Sequence, residues 1–152
     1  MSPTDFASRT HRETSADAPL FVDTNVFLRF LTNDVPERAA AAETLFRRAA
    51  AGEIKLITNT VVLAELVWVL ESYYRLARPE VQERALAVAH MDGLSLPELE
   101  IVTDALFVYG SAKVDFIDAY NACWMRKRGL DRVVTFDENH FARLDWVDIE
   151  SP

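Results

Sequence analysis

The residues in this chain best placed to do chemistry are acids. Asp23 and Asp137 each follow a short apolar run, Leu20-Phe21-Val22 and Val133-Val134-Thr135-Phe136. Glu65 is the one charge in the stretch Val61–Leu70. Asp115 and Asp118 are three residues apart, a spacing that puts both on one face of a helix, and they stand among Phe116, Ile117, Ala119 and Tyr120. Taken singly, each has an ordinary structural account. Asp23, Asp137 and Asp115 suit helix N-caps, while Glu65 and Asp118 suit half-exposed helix positions. Taken together they lack counter-charges. No Lys or Arg occurs in Leu56–Leu70, and the next cations after Asp23 and Asp118 are Arg29 and Arg126. Unpaired carboxylates in apolar surroundings are costly. A divalent cation resolves this, because hard cations take oxygen ligands, and such an ion can generate hydroxide and stabilise an in-line phosphoryl transition state.

Alternating short strands and helices must position these acids. Leu20–Asp23 reads as a buried strand, with a helix following from Thr24 or Asn25. Pro36 opens an alanine-rich helix that Gly52 stops. Lys55–Thr58 is a second strand, and Asn59 or Thr60 caps a helix to about Leu76. A further helix runs from Pro79 to near Gly93. Leu99–Val102 is a third strand candidate. A helix from Asp115 to Arg128 closes at Gly129, followed by a strand at Arg132–Thr135 and an edge strand at Trp146–Ile149. This alternation predicts an α/β sandwich with a mainly parallel sheet, in which ligands bind outside the carboxyl ends of the strands. Asp23 and Asp137 fall at that end.

The chain has 152 residues, one domain's worth. Residues 1–18 read as a flexible N-terminal extension and residues 19–152 as a single domain. Sixteen Lys and Arg against 24 Asp and Glu give a net charge of −8, so charge alone does not attract nucleic acid. Bound cations would have to do so locally, and a basic protein partner would also suit the surface. Cys123 is the only cysteine; it excludes an intrachain disulfide, fits a reducing cytoplasm and reads as a small core residue. No signal peptide or run of about 18 apolar residues is present, so a cytoplasmic protein without membrane contact is expected.

In sequence these segments resemble the PIN-domain ribonucleases. Phe21-Val22-Asp23-Thr24-Asn25 is similar to that family's opening D-T-N, and Val62-Leu63-Ala64-Glu65-Leu66 to its second motif. Val114-Asp115-Phe116-Ile117-Asp118-Ala119 resembles the third, and Val133-Val134-Thr135-Phe136-Asp137 the fourth. The motifs span residues 21–141. The resemblance implies a PIN-like three-layer sandwich, its central sheet of four to five short strands flanked by helices. It also implies an acidic cleft that binds Mg²⁺ or Mn²⁺ and hydrolyses RNA phosphodiesters to 5′-phosphate and 3′-hydroxyl ends. On this chain the catalytic acids would be Asp23, Glu65, Asp118 and Asp137. Asp115 would be auxiliary, its rank against Asp118 left open, and Thr24 or Asn25 and Thr135 would shape the site. Asp23 and Asp118 would hold the principal cation, Asp137 would complete the site or hold a second ion, and Asp115 would stand beside them. Glu65 would orient the attacking water or act as its base.

The small size resembles VapC-like toxins of toxin–antitoxin pairs, which implies a homodimer and a VapB-like antitoxin as partner. Two departures stand out: Asn139 occupies a place where many relatives carry a further acid, and the N-terminal extension is long for the family. The rival from another class is a PIN-like fold serving only as a binding or scaffold module, which loss of the acids would mark. A receiver-like domain would need a lysine after the last core strand, and a dehalogenase-like phosphatase a D-x-D pair where Asp23-Thr24-Asn25 stands. His11, His90 and His140 show no metal-ligand spacing, and His140 reads as a surface or packing residue more than a substrate contact. Trp68, Tyr73, Tyr74 and Trp124 suit core or dimer packing. Arg126, Lys127, Arg128, Arg132 and Arg143 could meet RNA, although a solvated helix end explains them slightly better.

Overall fold

The computed structural model describes residues 18–152; the expected N-terminal extension falls almost wholly outside the described residues. Six helices and five strands follow in order among them: β1 (Leu20–Phe21), α1 (Thr24–Thr32), α2 (Pro36–Ala50), β2 (Leu56–Ile57), α3 (Thr60–Ser72), α4 (Arg78–Ala89), β3 (Leu94–Ser95), α5 (Leu99–Ala112), α6 (Phe116–Lys127), β4 (Arg132–Val134) and β5 (Asp148–Glu150), with a 3₁₀ turn at Phe141–Arg143. All strand pairings are parallel, as the α/β pattern requires. They form two ladders, β1-β2-β3 and β4-β5.

Two strand readings need correction. Leu99–Val102 is the first turn of α5 rather than a strand, and β3 lies earlier, Leu94 opposite Leu56 and Ser95 opposite Ile57. The apolar run there continues as Ile101, Val102, Ala105, Leu106 and Tyr109, all buried, a helical stripe that a four-residue window cannot tell from a strand. In β1, Leu20 and Phe21 are exposed and only the following Val22 is buried, because β1 is the edge of its ladder.

The core lies among the helices. Helix α3 packs against α1, α4 and α6, α4 against α5, and α5 against α6. Leu63, Leu66, Val67 and Leu70 of α3 are buried, as are Val81 and Val88 of α4, Leu106 and Tyr109 of α5, Ala119 and Ala122 of α6 and Phe27 of α1. Each large aliphatic side chain so buried contributes about 1.5–3 kcal/mol. Gly93 enters β3 at φ 80°, and a Cβ there would run into the Ala49 carbonyl at the end of α2. Glycine alone supplies that left-handed bend and that close approach. Cys123 is buried as expected, and burial pushes its thiol up to about 11.

Candidate functional site

The carboxyl ends of β1 and β2 are fixed by atoms hidden from water. Val22 N–H donates to the Ile57 carbonyl at 2.8 Å and Thr58 N–H to the Ser95 carbonyl at 3.0 Å. The Thr58 hydroxyl, 1% exposed, donates to the Val22 carbonyl at 3.0 Å. Thr58 was not singled out from sequence, yet it secures the residue before Asp23; a threonine ending a strand opposite an Asp-bearing strand is the signal that marks it. Asp23 occupies the N-cap of α1 with extended backbone, and its side chain makes no capping bond. It stands exposed at the strand end. The following Thr24 is buried, and its hydroxyl donates to Glu65 Oε2 on α3 in a short hydrogen bond. Glu65 is carried there because Asn59 caps α3, accepting from Val62 N–H at 3.0 Å, and because the apolar stripe behind it is buried against α1 and α6. Asn25 lines a groove of about 390 Å³ between α1 and α2, together with Arg29 and Arg38.

A second group forms at the start of α6. Asp115 caps that helix, its Oδ1 accepting from Asp118 N–H at 2.9 Å. The two carboxylates therefore sit at the positive end of the helix dipole, which favours negative charge. His140 approaches both: its Nδ1 lies 2.7 Å from Asp118 Oδ2 and 3.3 Å from Asp115 Oδ2. One ligand atom from each of the three falls within 4.8 Å of the others. His140 thus stands against both carboxylates, a contact that its reading as a surface or packing side chain did not anticipate. The signal was the proximity of His140 to the fourth motif, which spacing within one segment could not connect to α6.

The turn that presents Asp115 is gripped from two sides. Arg78 Nη1 donates to the Tyr109 carbonyl at 2.8 Å and to the Val114 carbonyl at 2.7 Å. Arg143, in the 3₁₀ turn that follows His140, donates to the Lys113 carbonyl. Lys113 itself has φ 54°, a left-handed conformation costly for a side-chain-bearing residue. These contacts hold that bend in place.

Asp137 stands apart from the close group. Its N–H donates to Thr135 Oγ1 at 3.0 Å, and its Oδ1 accepts from Asn139 N–H at 3.1 Å, so both Thr135 and Asp137 are engaged in shaping their own loop. Of the acids chosen from sequence, the structure brings Asp115 and Asp118 together with His140 and links Thr24 to Glu65. Asp23, Glu65 and Asp137 lie outside the three-residue cluster.

Among the described residues none of these five acids pairs with a Lys or Arg. The donor set at α6, two carboxylates and an imidazole nitrogen within ligand reach, fits a divalent cation. The basic residues considered for RNA are largely occupied. Lys127 pairs with Glu100 at 2.5 Å, Arg132 with Glu150 at 2.8 Å and Arg128 with Glu98 at 3.8 Å. Arg128 lies over Trp124 and Arg126 over Trp146. Trp68 and Tyr73 are 66% and 74% exposed, so a core role does not apply to them.

Comparison with known proteins places most of the chain within one family. Residues 20–147 match the family described as PIN domain. The chain is also similar to a VapC ribonuclease of Aquifex aeolicus (strain VF5), with 25% identity over 115 residues, which covers 76% of this chain and 84% of the relative.

Proposed function

Because the chain belongs to the PIN-domain family, we propose that it is a divalent-metal-dependent endoribonuclease, the VapC-like toxin of a toxin–antitoxin pair. The observation that carries this reading is the convergence of Asp115, Asp118 and His140 within 4.8 Å at the N-terminus of α6. A metal nuclease needs such a site, whereas a scaffold module does not require one. The likeness to a VapC ribonuclease supports the same reading.

In this reading Asp118 and Asp115 hold Mg²⁺ or Mn²⁺, with Asp23 and Asp137 completing the acidic set around the RNA phosphate. A cation bound there supplies a water of lowered pKa and offsets charge on the phosphate. Glu65 orients the attacking water, and the Thr24 hydroxyl fixes which way its carboxylate faces. Asp115 spends one oxygen on the helix cap, so Asp118 is the principal ligand of the pair. Asn25 and Thr135 shape the approach. The groove beside Asn25, with Arg38 on its wall, gives an acidic chain a local place for backbone phosphates.

Partners follow from the same assignment: RNA as substrate, a VapB-like antitoxin, and a second copy of the chain. Val61 and Trp68, two helical turns apart on α3 and both exposed, offer apolar surface of the kind partners cover. No helix among the described residues is long and apolar enough to cross a membrane, and the cytoplasm is the proposed location.

The test is cleavage of structured RNA by the purified chain with Mg²⁺, with Mn²⁺ and with EDTA, beside Asp118→Asn. Cleavage that requires the cation and Asp118 and leaves 5′-phosphate ends is expected. Absence of cleavage across a broad RNA panel, together with no cation binding by calorimetry, would favour the scaffold module.

A further inference from the structure

The imidazole in the acidic cluster bears on which cation the site takes. The acids of the candidate set offer only oxygen donors, yet here a nitrogen faces both carboxylates of the α6 pair. His140 is only partly open to solvent. Its own side chain is 28% exposed. Phe141, which opens the 3₁₀ turn that follows it, and Leu144, just after that turn, are buried, and Arg143 ties that turn to the Lys113 carbonyl. The segment carrying the imidazole is thereby fixed to the same bend that presents Asp115. Nδ1 is the ring atom that meets Asp118 Oδ2 and Asp115 Oδ2; with no cation its N–H donates to Asp118, and a bound cation would replace that proton.

We propose that His140 is a ligand to the cation through Nδ1 and biases the site toward first-row transition ions, Mn²⁺ among them, over Mg²⁺. This rests on the metal-nuclease reading and adds the basis of its metal choice. Imidazole nitrogen is a borderline donor that transition ions accept readily, and affinity for such donors rises along the series from Mn²⁺ to Co²⁺ and beyond. Mg²⁺ keeps to oxygen and holds its waters, so a nitrogen donor gives it little. His90, the other described histidine, is engaged with Thr103 Oγ1 at 2.9 Å and serves as an internal control.

The experiment uses the full chain, with Mn²⁺ and Mg²⁺ titrated by calorimetry and the Mn²⁺ complex examined by electron spin echo envelope modulation, which detects coordinated ¹⁴N. Wild type, His140→Ala, His140→Asp, His90→Ala and Asp118→Asn are compared. The wild type and His90→Ala are expected to bind Mn²⁺ more tightly than Mg²⁺ and to show ¹⁴N modulation. His140→Ala loses the modulation and about tenfold or more in Mn²⁺ affinity, while Mg²⁺ affinity stays within about threefold. His140→Asp restores a donor without nitrogen and shifts the preference toward Mg²⁺. Cation binding that depends on Asp118 but shows no ¹⁴N modulation, or modulation unchanged in His140→Ala, would overturn the role of His140 and leave the nuclease reading standing. No cation binding by any variant would overturn both.

Discussion

The two sides of the candidate site are built by different means. On the β1–α3 side, Asp23, Thr24 and Glu65 are set by buried groups: the Thr58 hydroxyl on the Val22 carbonyl, Thr24 beneath Glu65, and the packed stripe Leu63, Leu66, Val67 and Leu70. On the C-terminal side, Thr135, Asp137 and His140 belong to segments whose surfaces are mostly open. Val134 is 62% and Phe136 88% exposed, and the loop keeps its shape through short-range bonds between Thr135, Asp137 and Asn139. What reaches across is a small number of polar contacts, His140 to α6 and Arg143 to the Lys113 carbonyl. One side is positioned by the core of the protein throughout, and the other is anchored to it through Phe141 and Leu144 but meets the site through a few directional bonds.

This difference predicts separable effects of substitution. Leu66→Ala removes a fully buried side chain on the first side and is expected to lower stability by about 2–5 kcal/mol. Phe136→Ser on the second side should change stability by no more than about 0.5 kcal/mol. Denaturant unfolding of both variants checks the contrast, and equal losses would break it. Thr58→Val strips the Val22 carbonyl of its buried donor and is expected to lose about 1–3 kcal/mol, with RNA cleavage falling as well because Asp23 loses its anchor. Preserved activity at reduced stability would mean that Asp23 is placed by the strand alone.

Arg143→Ala tests the polar closure. Cleavage is expected to drop several-fold through kcat, with KM and the unfolding midpoint nearly unchanged and partial recovery in Arg143→Lys. A change confined to KM would instead put Arg143 on the RNA. The smallest effect concerns the corner between α1 and α2. There the Tyr74 hydroxyl donates to Asp34 at 2.6 Å and Arg29 lies 2.5 Å from it. The Tyr74 hydrogen bond, with help from Arg29, lowers the Asp34 carboxyl from an ordinary value of about 4 to about 2. A depressed carboxyl contributes stability above its ordinary value and loses it as pH falls through the folded value. Acid titration of stability between about pH 4 and pH 2 should therefore be slightly shallower in Asp34→Asn than in wild type.

Much of this was legible in the sequence, for physical reasons that differ by element. The helices announce themselves through Pro36, Asn59 and the apolar periodicity of Thr60–Ser72, and the N-cap of Asp115 on α6 follows from its place before an apolar run. Strands of two or three residues carry too little pattern to be located securely, which is why Leu99–Val102 reads as a strand until the buried stripe reaching Tyr109 is seen whole. The acids at strand ends and the Asp115–Asp118 pair were readable because they interrupt apolar runs. His140 was not readable, because its partners are 22 and 25 positions away in sequence, and only the fold brings the 3₁₀ turn onto α6. Thr58 escaped for the same reason, its acceptor being on the neighbouring strand.

The central claim is that acids from both sides act as one metal-dependent site, and RNA cleavage by Asp23→Asn, Asp118→Asn and the double variant tests it most directly. Each single substitution is expected to reduce cleavage by about 10²-fold or more, and the double variant by little beyond the larger single loss, since groups that act as a unit are strongly non-additive. Losses that multiply in the double variant, or full activity in Asp23→Asn, would contradict a shared site and leave the α6 cluster to act without the β1 side.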